Sequence, residues 1–339
     1  HKDKAAAKDS AAPPGAQRHR AKVLLFTTDS MKGYSTRGNV PAGEIRMRWS
    51  LAIALGDLGA VVDTATTEEE FRWLAEQHAA YSAYILDPWT WAGSSRQPRE
   101  FLQGREDSVY ILDYFGRASF PSDGVQVDMK HVLTAFPLPA KNTFIGYGVE
   151  QPLARDKKTQ GVFLGKLHEY SPRYRMETLK AIADKVKIVT TISPGETLLS
   201  HPNIEFLGHK TPEEFDQLLA TSRFLITFGD TLNEPSAMDA VANGCVYINT
   251  VYNKPRSINA DLTRGDYGVA YRSEHPYLGE RVGPPYVCTA REGELDDYMH
   301  CVDEAMRVGP LDPFVPHPFT DSAYRQRIST VFENVLGKA

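Results

Sequence analysis

From Ala21 onward the chain alternates short apolar runs with longer stretches of helical spacing. Val23-Leu24-Leu25-Phe26 is apolar at every position, the pattern of a strand buried on both faces. A polar, glycine-containing stretch from Asp29 to Ala42 predicts a loop. Glu44, Met47, Leu51, Leu55 and Leu58 then recur every three or four residues, which predicts a helix ending at Gly59. Val61-Val62 opens a second strand, and Thr67 with Glu70 predicts a capping box for a helix through Trp73 and Leu74. Tyr81 to Leu86 and Ser108 to Leu112 read as further strands. This β-α-β-α order predicts a parallel sheet with helices on both faces.

A second alternating unit begins near Gly161. Val162-Phe163-Leu164 reads as a strand, Arg173 to Ala183 as a helix, and Lys187-Ile188-Val189 as a strand. Thr211-Pro212-Glu213-Glu214 is a helix start, with a Thr cap, Pro at the first helical position and Glu three residues after the cap. Phe224-Leu225-Ile226 predicts another buried strand, Pro235 to Ala242 a helix, and Val246-Tyr247-Ile248 a strand. The predicted architecture is therefore two Rossmann-like α/β units joined around residues 148–160. No repeat of solenoid length is visible.

Composition narrows the function classes. A chain of 339 residues is long enough for two domains with real cores. The 38 basic and 43 acidic residues leave a net charge of −5, which argues against nucleic acid or an anionic membrane as the main partner. Cys245, Cys288 and Cys301 contain no C-x-x-C pair and are too few for a disulfide scaffold. No apolar run approaches the roughly 18 residues of a membrane-spanning helix. Residues 1–20 hold no large aliphatic or aromatic side chain, so a disordered stem or linker is expected there. A first residue other than Met leads us to expect that something, such as an N-terminal anchor, was removed.

Three places carry candidate chemistry. Glu44 stands where the loop after the first strand meets a helix, and ligands of open α/β sheets bind at such carboxyl ends. A carboxylate there suits a general base, although position alone also fits a first-turn Glu favoured by the helix dipole. The segment Phe228 to Ser236 joins a buried strand to a helix and suits a nucleotide diphosphate, with Ser236 at the helix start and Asn233 or Glu234 toward ribose hydroxyls. Gly165-Lys166 follows the second unit's first strand, and Lys166, Lys254 and Arg256 offer point charges for phosphate. Trp89 and Trp91 are aromatic candidates for stacking an acceptor sugar or for filling the core. The chain has no P-loop, G-x-S-x-G, H-E-x-x-H or D-x-D sequence, and His168, His209 and His275 read as loop or core residues.

Residues 134–150, TAFPLPAKNTFIGYGVE, resemble the inter-domain segment of the N-acetylglucosaminyltransferase V family, glycosyltransferase family 18. The likeness continues through Gly165-Lys166, Ala240 to Cys245, Tyr252 to Pro255, Ser273 to Tyr277, and Pro318 to Ile328. Gly43-Glu44 followed by Trp49-Ser50 looks like the family segment that carries its catalytic glutamate. The resemblance implies a GT-B fold, two Rossmann-like domains facing across a cleft, with residues 21–150 binding acceptor and 151–339 binding donor. It further implies inverting, metal-independent transfer of GlcNAc from UDP-GlcNAc to a mannose hydroxyl of a glycan or glycoprotein, β-1,6-linked by analogy. No cofactor beyond this donor substrate is expected. A Golgi-lumenal location, as the soluble part of a type II membrane protein, follows from the same likeness, with a cytoplasmic enzyme as the alternative. Other nucleotide sugars or acceptors, or a non-catalytic glycan- or nucleotide-binding module, are the competing readings. The chain departs from the family at Asn233-Glu234-Pro235, where the family has Glu-Gly-Pro, and at Asp239, where it has Glu. It also lacks any N-x-[ST] sequon.

Overall fold

The computed structural model describes residues 20–27, 43–77, 81–92, 101–119, 127–138, 140–152, 155–165, 173–195, 199–229, 232–257 and 269–337. Most of the expected N-terminal linker, the Asp29–Ala42 loop, Lys166 and the Trp89 side chain lie outside this description. The first sheet contains β1 (Lys22–Phe26), β2 (Val61–Ala65), β3 (Ala83–Leu86), β4 (Val109–Leu112), β5 (Val132–Thr134) and β6 (Thr143–Phe144). All its pairings are parallel, in the order β2-β1-β3-β4-β5-β6. Its helices are α1 (Gly43–Asp57), α2 (Glu68–Gln77) and α3 (Pro88–Ala92).

The second sheet follows with β7 (Gln160–Phe163), β8 (Lys187–Thr190), β9 (Ile204–Phe206), β10 (Phe224–Ile226), β11 (Val246–Arg256), β12 (Tyr271–Ser273) and β13 (Val287–Arg291). Its parallel order is β9-β8-β7-β10-β11-β13, and β12 adds to β11 antiparallel. Helices α4 (Arg173–Lys185), α5 (Pro212–Ala220), α6 (Pro235–Ala242) and α7 (Leu295–Arg307) flank it, and α8 (Asp321–Val331) with α9 (Glu333–Leu336) closes the chain. Among the described residues no helix is long and apolar enough to cross a membrane.

The central strands β1, β3, β4, β7 and β10 are buried on both faces, as their apolar runs predict. In β1, Val23 and Leu25 enter one apolar cluster, while Leu24 and Phe26 enter the cluster on the opposite face. In β10, Leu225 joins the first of these clusters, and Phe224 and Ile226 pack into a third. The cluster holding Val23 and Leu25 thus also holds Leu225 and Tyr247, so one apolar core runs between the two sheets. The last turns of the chain reinforce that continuity. Phe319 lies in the same core and its carbonyl accepts from Val149 N–H at 2.8 Å. Helix α8 returns to pack on α1, where Arg325 pairs with Asp57.

Local signals decide the element ends. Gly59 adopts φ +93°, a left-handed position that glycine fills without steric cost, and α1 stops two residues earlier. At α5 both arms of the predicted capping box form: Glu214 N–H to Thr211 Oγ1 at 3.2 Å and Thr211 N–H to Glu214 Oε2 at 2.9 Å. At α2 only one arm forms as predicted. Thr67 Oγ1 accepts from Glu70 N–H at 3.1 Å, but the Glu70 carboxylate reaches one residue further back, to Thr66 N–H at 2.7 Å.

The cysteines make more than composition suggested. Cys288 on β13 and Cys301 on α7 form a disulfide, while Cys245 stays free and buried. The bridge closes a short loop, its ends 13 positions apart in sequence. Replacing both cysteines with alanine is expected to cost about 3 kcal/mol, read as a lower urea midpoint.

Candidate active site

Each sheet reverses its strand order once, between β1 and β3 in the first and between β7 and β10 in the second. Ligands of such sheets bind outside the carboxyl ends of the strands at these reversals. The first crevice receives the start of α1. Gly43 opens that helix because no side chain fits: a Cβ there would sit 2.3 Å from Tyr114 Cζ. Glu44 follows, half-buried in the first turn. One turn further, buried Arg48 lies 3.6 Å from Asp87 at the end of β3. Burial lowers the Arg48 pKa, opposed by the charges of Asp87 and Glu44. Asp87 in turn accepts from Thr90 N–H at 2.8 Å and Thr90 Oγ1 at 2.9 Å. Just beyond β4, Asp113 pairs with Arg117 at 3.0 Å, and burial raises its pKa against the pull of that guanidinium.

The second crevice receives the loop from β10 to α6. Two non-glycine residues in this loop are left-handed, Phe228 at φ +55° and Asn233 at φ +51°, a conformation that must be held by its surroundings. Phe228 is held by packing between Phe163 and Tyr298, with ring centroids 5.5 and 5.2 Å away. Asn233 is held by its own backbone. Its N–H donates to the Glu274 carbonyl at 2.8 Å, and its carbonyl accepts from Tyr114 Oη at 2.5 Å. Pro235 then starts α6 and brings no N–H, the Ala237 N–H donates to the Glu234 carbonyl at 3.2 Å, and Glu234 at the N-cap makes no side-chain cap, so the Ser236 N–H is the first-turn donor the helix N-terminus presents to an anion.

Glu274 lies beneath this loop, fully buried, and its carboxyl accepts from Thr227 Oγ1 at 2.5 Å. Burial pushes its pKa up to about 7, with the hydrogen bonds from Thr227 and Tyr247 acting against that shift. The adjacent His275 is also fully buried, and burial lowers its pKa to about 3, which keeps it neutral. Among the described residues no three His, Cys, Asp or Glu side chains gather as a metal-binding group.

The structure brings several sequence candidates together. Gly165 follows β7 at the order reversal, directly beside the strand that leads to Asn233, Glu234 and Ser236. Arg256 reaches the same loop, donating from Nη1 to the Gly229 carbonyl at 2.7 Å while pairing with Glu292 and covering the Tyr252 ring at 4.0 Å. Lys254 is exposed further along β11. Trp91 corrects the sugar-stacking expectation: it is 2% exposed and packed in the apolar cluster of the first sheet, so it has no face to offer a ligand.

Other members of the site received no role from the sequence. Tyr114 lies in no segment singled out there, and Glu274 entered only as part of the Ser273–Tyr277 likeness; both come to the site because they follow β4 and β12 and bond the backbone of Asn233. Asp239, expected on the donor side, is engaged across the domains by Arg46 of α1, whose Nη1 lies 2.7 and 2.8 Å from its two oxygens. Burial works against the Arg46 charge, but Asp239 more than compensates and raises its pKa.

Two Rossmann-like domains, each presenting the carboxyl ends of its strands to a shared cleft, define a GT-B fold. Solved structures share it: AviGT4, a glycosyltransferase of avilamycin A biosynthesis, aligns at a TM-score of 0.50 and 13% identity over 94% of this chain and 96% of that one. The UDP co-structure of Staphylococcus aureus MnaA aligns at 0.51 and 12% identity over 93% and 97%. The chain belongs to glycosyltransferase family 18, whose model matches residues 114–335. Its curated relatives include the mouse alpha-1,6-mannosylglycoprotein 6-beta-N-acetylglucosaminyltransferase B, 24% identical over 60% of this chain and 27% of that protein. The corresponding Caenorhabditis elegans enzyme is 26% identical over 69% of this chain and 40% of its own length. The matched region thus spans well under half the length of either relative.

Two predictions follow from this geometry. Tyr114→Phe leaves the buried Asn233 carbonyl without its donor and is expected to cost about 1–3 kcal/mol in urea unfolding. An unfolded glutamate releases its proton near pH 4.5, whereas folded Glu274 holds it to about 7. Between those values the folded chain binds the extra proton, so this group's contribution to stability falls as pH rises. Glu274→Gln is expected to flatten that descent when urea midpoints are compared at about pH 5 and about pH 7.5.

Proposed function

We propose that this chain is an inverting glycosyltransferase that moves GlcNAc from UDP-GlcNAc to a mannose hydroxyl of a glycan, without a metal ion. The N-terminal domain takes the acceptor and the C-terminal domain the nucleotide sugar. The observation that carries this reading is the adjacency of a carboxylate to the donor loop. Glu44 follows Gly43, Gly43 lies against the Tyr114 ring, and the Tyr114 hydroxyl is bonded to Asn233. This chain of contacts supports a reading in which Glu44 acts as base on one domain while the Asn233–Ser236 turn of the other takes the diphosphate.

In this mechanism Glu44 takes the proton of the acceptor hydroxyl as that oxygen attacks the anomeric carbon. The new carbon–oxygen bond forms on the face opposite the nucleotide while the bond to the diphosphate breaks, so UDP leaves with the electron pair and the anomeric configuration inverts. The Ser236 N–H and the dipole at the start of α6, with the Arg256 guanidinium beside the same loop, offset the charge that develops on the departing diphosphate. Family membership and the named relatives support the donor and acceptor classes. The Cys288–Cys301 bridge supports an oxidising compartment, in keeping with the Golgi lumen as the site of action.

Transfer from UDP-GlcNAc to a mannosyl acceptor is expected to persist in EDTA. Glu44→Gln is expected to lower kcat by about 10²–10⁴-fold while UDP binding is retained. Near-full activity in Glu44→Gln removes the base assignment. A wild-type chain that binds UDP and transfers nothing is a binding module instead.

A further inference from the structure

The first turn of α1 also carries Arg46, whose guanidinium reaches the other domain. Arg46 stands two residues after Glu44, about 3 Å further along the helix axis. Its guanidinium bonds both carboxylate oxygens of Asp239, at 2.7 and 2.8 Å, across 193 residues of sequence. Asp239 lies on α6, three residues beyond Ser236 and thus about one turn from the end that faces the donor crevice. The two side chains keep only 21% and 19% of their surface, so solvent screens the pair weakly.

The guanidinium is further fixed by stacking. Its Cζ lies 4.9 Å from the centre of the Tyr147 ring. Tyr147 lies nearly parallel to Tyr114, with planes 14° apart and centroids at 6.5 Å, and Tyr114 makes the bond to Asn233. The first turn of α1 therefore meets α6 directly through the charged contact at Asp239, and indirectly through Tyr114, whose ring lies against Gly43 and whose hydroxyl bonds Asn233. Glu44 belongs to this same turn of α1.

We infer that Arg46 is a positioning residue: its ion pair with Asp239 sets the register of α1 against α6, and so aligns the Glu44 carboxylate with donor held at the α6 N-terminus. This rests on the transferase reading, with Glu44 as base. Arg46 itself need not touch donor or acceptor. A guanidinium is suited to the task because its planar donors fix angle as well as distance, which a lysine ammonium does not.

Kinetics and amide exchange test it together. Arg46→Gln and Asp239→Asn are each expected to lower kcat by about 10²-fold, with KM for UDP-GlcNAc within about twofold of wild type, since a misplacement near 1 Å costs about that much. The charge-exchanged double variant, Arg46→Asp with Asp239→Arg, is expected to recover part of the loss. A purely structural pair instead lowers the melting temperature and leaves kcat per folded molecule unchanged, which overturns the proposal. The second measurement does not depend on transfer. UDP is expected to slow amide exchange in residues 43–47 of the wild type and of Glu44→Gln, but not of Arg46→Gln. Protection that survives in Arg46→Gln, or none in the wild type, overturns the coupling. Loss of activity in Glu44→Gln with normal kcat in Arg46→Gln removes this inference alone, whereas an inactive wild type that still shows Arg46-dependent protection removes only the transferase reading.

Discussion

The bond from the Tyr114 hydroxyl to the Asn233 carbonyl is the contact on which the site depends. Asn233 has a left-handed backbone, which a residue with a Cβ adopts only when neighbours hold it there. Tyr114 comes from the first sheet and supplies one of those holds, while the backbone of Glu274 in the second sheet supplies another. The same tyrosine ring occupies the space where a side chain at position 43 would be. One aromatic residue therefore shapes both the start of α1 and the turn ahead of α6.

Burial explains why so many polar groups can be gathered at this junction. Beneath the β10–α6 loop, Glu274 has no opposite charge in hydrogen-bond contact among the described residues, and its raised pKa expresses the cost of ionising a buried carboxyl. On the other domain, Arg48, Asp87, Asp113 and Arg117 are also almost wholly buried, but in oppositely charged pairs. These pairs do little to explain stability, because desolvation offsets much of their attraction. They instead fix side-chain directions at the carboxyl ends of β3 and β4, where a ligand-facing surface needs rigidity.

The domains are joined more firmly than a linker would join them. One apolar cluster includes side chains of both sheets, and Phe319 brings the chain end back into it. Around that core, polar ties cross at Arg46–Asp239, Tyr114–Asn233, Tyr271–Phe115 and Arg325–Asp57. Three of these ties border the cleft, and the fourth anchors α8 to the far end of α1. Such a junction favours one relative orientation of the two halves, and that orientation sets the separation between Glu44 and the start of α6.

Much of this was legible in the chain itself, and the reason is locality. Strand β10 and helix α6 fall where their apolar runs and the Pro235 start place them, because strand burial and helix entry are decided by adjacent residues. The Thr211 capping box forms for the same reason. Glu44 and the Asn233–Ser236 turn were visible as candidates because ligand sites of α/β sheets follow strand ends. Family resemblance sharpened their roles beyond what spacing alone supplies. Tertiary structure decided the rest. Trp91 became core because β3 and β4 enclose it, and Cys288 met Cys301 because β13 lies under α7. Tyr114, Glu274 and the Arg46–Asp239 pair acquired their places only when two sheets, far apart in sequence, were packed edge to cleft. No local pattern encodes a contact between residues 46 and 239, since its energy exists only after both domains have folded and excluded water between them.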